Sequence, residues 1–308
     1  MKSVIEVENL EKDYGKLRAV NGISFEVKKG EVFGLLGENG AGKTTTLEII
    51  EGLRKPTSGK VMVLGEDTTH GCLDRVKEKI GVQLQSTAYF DFLTIKEILQ
   101  LFGSFYHKNI SPLDLLEMVD LKDKANSLVK NLSGGQKQRF SIVASIVNDP
   151  EIVFLDEPTT GLDPLARRKL WDLIIEIKNR KKTVILTTHY MEEAEILCDR
   201  IAIMEKGKII AMGETHKLIE GSHTPYRLNF ISNILSRPEK DSLSKLGELE
   251  QVVGKSNHFE LRLKSQRDLN SAIGVVQKIS PESLTVGRAS LEDLFLELTG
   301  KTIGEENA

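Results

Sequence analysis

Residues 37–44, GENGAGKT, constrain this chain more than any other segment. They fit the pattern Gly-x-x-x-x-Gly-Lys-[Ser/Thr], a glycine-rich turn whose backbone N–H groups close around nucleotide phosphates. Such a turn belongs between a strand and a helix, and VFGLLG ahead of it is a short apolar run. Two more runs of that kind, IVFLD at 152–156 and TVILTTH at 183–189, also end in polar residues. This is the pattern of parallel strands covered on both faces. Ligand groups then fall at the carboxyl ends of the strands, where open α/β sheets bind ligands.

A second segment, LSGGQ at 132–136, opens onto an apolar-periodic stretch and so offers another helix N-terminus and another anion site. The helix behind it carries Phe140, Val143, Ile146 and Val147 and stops at Pro150. Upstream, Ile98, Leu99, Phe102, Phe105 and Tyr106 form a helical stripe, and Ser111-Pro112 starts another helix. Asp163-Pro164 starts one whose buried face includes Leu170, Trp171, Ile174 and Ile177. Near the start, Val4, Ile5, Val7 and then Ile23, Phe25, Val27 alternate with polar residues, as in half-buried antiparallel strands.

At 308 residues the chain is expected to form about two domains. The composition shift at 220–225 reads as the linker, giving domains 1–220 and 221–308. The second reads as strand 226–231, helix 241–246, strands near 252 and 260–263, helix 268–279 and strand 283–286, a βαββαβ order. A net charge of −3 without a block of like charges argues against a nucleic-acid binder. No apolar run reaches the ~20 residues that cross a bilayer, and MKSVIEVENL lacks the marks of a secretory signal, so a cytoplasmic location is expected. Cys72 and Cys198 lack metal-ligand spacing and read as plain thiols.

Over about its first two thirds the chain resembles the ATP-binding subunit of ABC transporters, through GENGAGKT, LSGGQ, the Asp156-Glu157-Pro158 turn with TTGLD after it, and the strand-end His189. The resemblance implies a P-loop NTPase core: a RecA-like parallel sheet, an antiparallel β subdomain and a helical subdomain over about 86–150. The terminal LEDLFLELTG resembles the accessory α+β domain of drug-resistance-type exporter ATPases. Further implications are ATP and Mg²⁺ as cofactors, a head-to-tail dimer, a separate transmembrane permease, and attachment to the cytoplasmic face of the membrane.

Within the first motif, Gly37, Asn39, Gly40 and Gly42 form the turn, Lys43 reaches the β- and γ-phosphates, Thr44 coordinates Mg²⁺, and Thr45 meets the α-phosphate. Adjacent carboxylates on an extended chain point opposite ways, so Asp156 is assigned to the metal and Glu157 to general base. By resemblance, Gln85 contacts Mg²⁺ and the attacking water, His189 senses the γ-phosphate, and Tyr14 stacks on adenine. Asp163 joins the two active sites and also suits an N-cap. Ser133, Gly134, Gly135 and Gln136 bind the nucleotide held by the other subunit. Tyr89, Phe90 and Phe92 either line the groove for a helix of the membrane partner or belong to subdomain core. Two other functions fit parts of the pattern, a non-transport ABC ATPase acting on ribosomes or nucleic acid and a clamp that binds ATP without hydrolysing it.

Overall fold

The computed structural model describes residues 2–69, 75–84, 89–233, 235–252 and 257–300. Contacts divide the chain into two compact units, Met1–Glu214 and Thr215–Ala308. The division falls ahead of the linker expected at 220–225, because the helix α7 (Thr215–Glu220) packs on the last helix, α10 (Leu291–Thr299).

The centre of the first unit is a six-stranded sheet in the order β10-β9-β3-β8-β7-β6. These strands are β3 (Val32–Leu36), β6 (Ile80–Gln83), β7 (Ile152–Asp156), β8 (Thr183–Thr188), β9 (Arg200–Glu205) and β10 (Lys208–Glu214). All run parallel except β10, which pairs antiparallel with β9. Strands β3, β7 and β8 are buried along their whole length, as continuous apolar runs require when helices cover both faces. Register then builds the site. Leu36 pairs with Thr188 and Asp156 with Thr187, so the turns that follow these three strands open on one edge.

A four-stranded sheet in the order β2-β1-β4-β5 comprises β1 (Ser3–Tyr14), β2 (Leu17–Lys28), β4 (Ser58–Val63) and β5 (Glu66–Asp67). Its antiparallel strands alternate as expected: Ile23, Phe25 and Val27 are buried, whereas Ser24 and Glu26 are exposed. Phe25 stacks on Phe33 of β3, with centroids 5.3 Å apart, so one core serves both sheets. Helix α1 (Lys43–Ile50) leaves the glycine-rich turn from Gly42 at φ 99°, where an added Cβ would lie 2.4 Å from the Ala19 carbonyl oxygen.

Three helices form the expected helical region: α2 (Ile95–Gly103), α3 (Pro112–Met118) and α4 (Gly134–Ser145). Asn148 ties it to the sheet, donating from Nδ2 to the Ile80 carbonyl at 2.9 Å. Helix α2 stops at Gly103, so Phe105 and Tyr106 leave the predicted stripe, and Phe105 is 66% exposed. Helices α5 (Pro164–Asn179) and α6 (Met191–Leu197) follow β7 and β8.

In the second unit, β11 (Tyr226–Ile231), α8 (Arg237–Ser244), β12 (Gly247–Gln251), β13 (His258–Leu263), α9 (Gln266–Lys278) and β14 (Ser283–Arg288) follow α7. This is a βαββαβ order closed by α10. The antiparallel sheet, ordered β12-β13-β11-β14, packs Leu228, Phe230, Leu261 and Leu263 against Leu243, Leu269, Ala272 and Val276. Helix α8 begins earlier than expected, at a capping box between Ser236 and Glu239 with Pro238 in the first turn. Among the described residues no helix is long and apolar enough to cross a membrane.

Candidate active site

Lys43, Thr44, Asp156, Glu157 and His189 converge where β3, β7 and β8 end. Lys43 is only 4% exposed. Its ammonium donates to the carbonyls of Gly37 and Glu38 at 2.9 and 3.0 Å and lies 3.6 Å from Glu157 Oε1. Burial pushes its pKa below the ordinary lysine value, with Glu157 as the main opposing influence. The close packing explains Gly37 too, since a Cβ there would sit 2.3 Å from the Met204 carbonyl oxygen.

The two carboxylates face different partners, though not by the extended-chain alternation expected, since Glu157 leaves the strand in a left-handed backbone. Asp156 Oδ1 accepts from the Thr44 hydroxyl at 3.2 Å and from the Thr187 hydroxyl. Burial raises its pKa against the pull of those hydroxyls. Glu157 turns instead to Lys43, to the Thr160 hydroxyl at 3.1 Å and to His189, whose Nδ1 is 3.2 Å from Oε2. That last contact is close without being aligned as a hydrogen bond. Glu157 sits at φ 46°, a left-handed backbone that is uncommon without glycine and that clusters at active sites. Thr187 holds it there, its hydroxyl accepting the Glu157 N–H at 3.0 Å.

A buried lysine in a glycine-rich cradle, beside a carboxylate held by two hydroxyls and a second carboxylate close to a histidine, suits phosphoryl transfer to water. The sequence model of the ABC transporter family matches residues 20–160. Nod factor export ATP-binding protein I of Rhizobium sp. (strain N33) is 43% identical over 319 residues, covering 97% of this chain and 98% of the relative. The chain belongs to the ABC transporter ATP-binding family. Linearmycin resistance ATP-binding protein LnrL of Bacillus subtilis (strain 168) is 37% identical over 97% of this chain and 99% of its own length. A dimeric bacterial ABC transporter cassette matches with 29% identity and a TM-score of 0.61, over 68% of this chain and 98% of that one. This ABC protein is therefore an ATP-binding and ATP-hydrolysing subunit of a transporter, as the sequence implied, and the relatives named here are of the export and resistance type.

Other predicted site residues of the ABC subunit lie outside this convergence. Ser133 is the N-cap of α4: its hydroxyl accepts from the Gln136 N–H, and Gln136 Oε1 accepts from the Ser133 N–H at 3.0 Å. Gly135 packs on Ala166 of α5, where an added Cβ would come within 3.1 Å. Asp163 caps α5, accepting from the Ala166 N–H at 2.9 Å. Tyr14 ends β1, partly exposed, with Lys12 and Arg54 5.2 and 5.4 Å from its ring centroid. Gln85 and Cys72 lie outside the described residues. Cys198 is buried, which pushes its thiol pKa up.

Two contributors to the site were not anticipated. Thr187 serves both carboxylate residues, and its signal was a hydroxyl in a fully buried strand, where it needs a partner. Glu51 caps the end of α1 at 2% exposure, with Oε1 unpartnered among the described residues. Burial, then the charges of Asp156 and Glu48, push its pKa from 4.5 to about 8. It lines a cavity of about 400 Å³ with Leu53, Leu84, Tyr89, Phe102 and Phe105. Tyr89 also meets Phe140, 5.2 Å between centroids, so it belongs to both groove and core, whereas Phe90 and Phe92 are exposed at 55% and 89%.

Because the folded protein binds the Glu51 proton more tightly than the unfolded chain, its contribution to stability is full below 4.5 and is lost as pH rises through about 8. Replacing Glu51 by Gln is expected to flatten that fall. Urea unfolding on either side of the pKa, in metal- and nucleotide-free buffer, checks it; an unchanged slope counts against a buried neutral carboxyl.

Proposed function

We propose that two copies of this chain close head to tail on ATP and drive export through a separate membrane permease from the cytoplasmic face. The observation that supports this most is the convergence of Lys43, Thr44, Asp156, Glu157 and His189 on one edge of the parallel sheet. Glu157 accepts the proton of the attacking water, and His189 beside it holds that carboxylate in place and contacts the γ-phosphate. Lys43 exchanges its carbonyl partners for phosphate oxygens, with Gly37, Asn39, Gly40, Gly42 and Thr45 forming the rest of the cradle.

Magnesium fits the donor set: Thr44 and Asp156 are hard oxygen donors held together, with Gln85 as a further donor by resemblance. When bound, Mg²⁺ neutralises charge on the β- and γ-phosphates. Tyr14 stacks on adenine.

Ser133, Gly134, Gly135 and Gln136 close on the nucleotide of the partner copy, and Asp163 links the two sites. The cavity beside Glu51 and Tyr89 receives a helix of the permease. The unit after Glu214 braces or regulates the pair. Export is the direction named for the Rhizobium relative.

Ser133→Arg tests the dimer. The residue is exposed, so the chain should fold and bind ATP, yet the added cation and bulk block closure. Sedimentation with ATP is expected to show a monomer where the parent chain pairs. A Ser133→Arg protein that dimerises and hydrolyses like its parent removes the head-to-tail reading.

A further inference from the structure

The loop that carries Asp163 and the loop that carries His189 meet a single buried carboxyl. Glu193, on α6, has no exposed surface. Its Oε1 accepts the indole N–H of Trp171 on α5 at 3.2 Å. Its Oε2 and the Thr159 hydroxyl are both buried and, among the described residues, outside any hydrogen bond. Burial raises the Glu193 pKa, and Thr188, Thr159, Trp171 and Arg167 oppose that rise.

Each of the four has a place in the site. Thr159 lies between Glu157 and Asp163. Thr188 precedes His189, and its hydroxyl accepts the Tyr190 N–H at 2.9 Å. Arg167 and Trp171 stand on the helix that Asp163 caps. The Arg167 guanidinium lies 4.4 Å from the Tyr190 ring centroid, and that ring is 4.2 Å from the ring of His189. A carboxyl taken wholly out of water is costly unless its neighbours hold it, and a displacement of one neighbour is felt by the others. An apolar residue of similar volume fills such a place more cheaply when only packing is required.

We propose that Glu193 is a positioning residue for ATP hydrolysis, a strut that fixes the Asp163 loop relative to His189 so that a change at one sets the other. This rests on the reading of Glu157 and His189 given above. Glu193 touches no reacting atom; it acts through Trp171, which joins α6 behind His189 to the helix that Asp163 caps.

Trp171 is the only tryptophan in the chain, so its fluorescence reports on the strut. In the full chain with Mg²⁺, ATP is expected to shift Trp171 emission. Glu193→Ala should lose that shift and lower kcat about tenfold, the loss of one buried hydrogen bond, with Kd for ATP within about twofold of the parent. Glu193→Gln, which keeps shape and hydrogen bonding, should recover most of both. Trp171→Phe deletes one N–H while keeping an aromatic ring, and should lower kcat at unchanged Kd even if Glu193→Ala fails to fold.

The strut is overturned if ATP moves the emission equally in Glu193→Ala, if Kd weakens in step with kcat, if Gln is as slow as Ala, or if Trp171→Phe turns over like the parent. Glu157→Gln separates the two levels. Parental turnover in that variant removes the underlying site reading, whereas a slow Glu157→Gln beside an indifferent Glu193 series removes the strut alone.

Discussion

Replacing Glu157 by Gln is expected to slow ATP turnover by about 10²–10⁴-fold, the usual worth of a positioned general base. That corresponds to roughly 3–5 kcal/mol of barrier. The substitution is chosen because so little else changes. Gln keeps the side-chain volume, can still meet Thr160 and His189, and leaves the left-handed backbone under the grip of Thr187. What disappears is a carboxylate able to take a proton from water, and with it the counter-charge 3.6 Å from Lys43. ATP affinity should stay within about twofold, since uniform binding is untouched when only a transition-state contact is removed. With hydrolysis blocked, the ATP-held pair should persist and be visible by sedimentation. Single-turnover kinetics beside nucleotide titration decides it. Parental turnover would move the base elsewhere, and lost ATP binding would make Glu157 a structural residue.

The parts of this site that were legible in the sequence are those made by consecutive residues. The run of β3 into the glycine-rich turn, and the end of β7 at Asp156, follow from apolar length, glycine placement and one polar terminus. What the sequence hid is contact between segments. Thr187, Glu51 and Glu193 matter because the sheet register and α6 bring them beside residues distant in the chain. The φ of 46° at Glu157 had no local signal either, since neither Glu nor the following Pro158 asks for a left-handed backbone. Tertiary packing also overrode periodicity at Phe105, where α2 had already ended at Gly103. In the second unit, alternation marked β13, buried at every other residue, while the start of α8 depended on a capping box that the apolar stripe alone does not show.

Lys43→Met addresses the other half of the chemistry, and its effect on binding should equal or exceed that of Glu157→Gln on turnover. Methionine follows the same path as the lysine stem but lacks the ammonium that now bonds two backbone carbonyls and faces Glu157. On phosphate, two charge-assisted bonds at about 1.5–3 kcal/mol each amount to about 10²–10⁴-fold in ATP affinity. The same change leaves Glu157, a buried carboxylate, without its counter-charge, and breaking a buried pair from one side destabilises. Affinity and stability therefore respond to different partners, and a second substitution separates them. Lys43→Met with Glu157→Gln should regain the stability lost by Lys43→Met alone, because no uncompensated charge remains, while ATP stays weakly bound. Calorimetric titration and thermal melts of the two single variants and the double check both arms. If the double variant melts no higher than Lys43→Met, the 3.6 Å pair carries no coupling; if Lys43→Met binds ATP like the parent, the phosphates are held without this lysine.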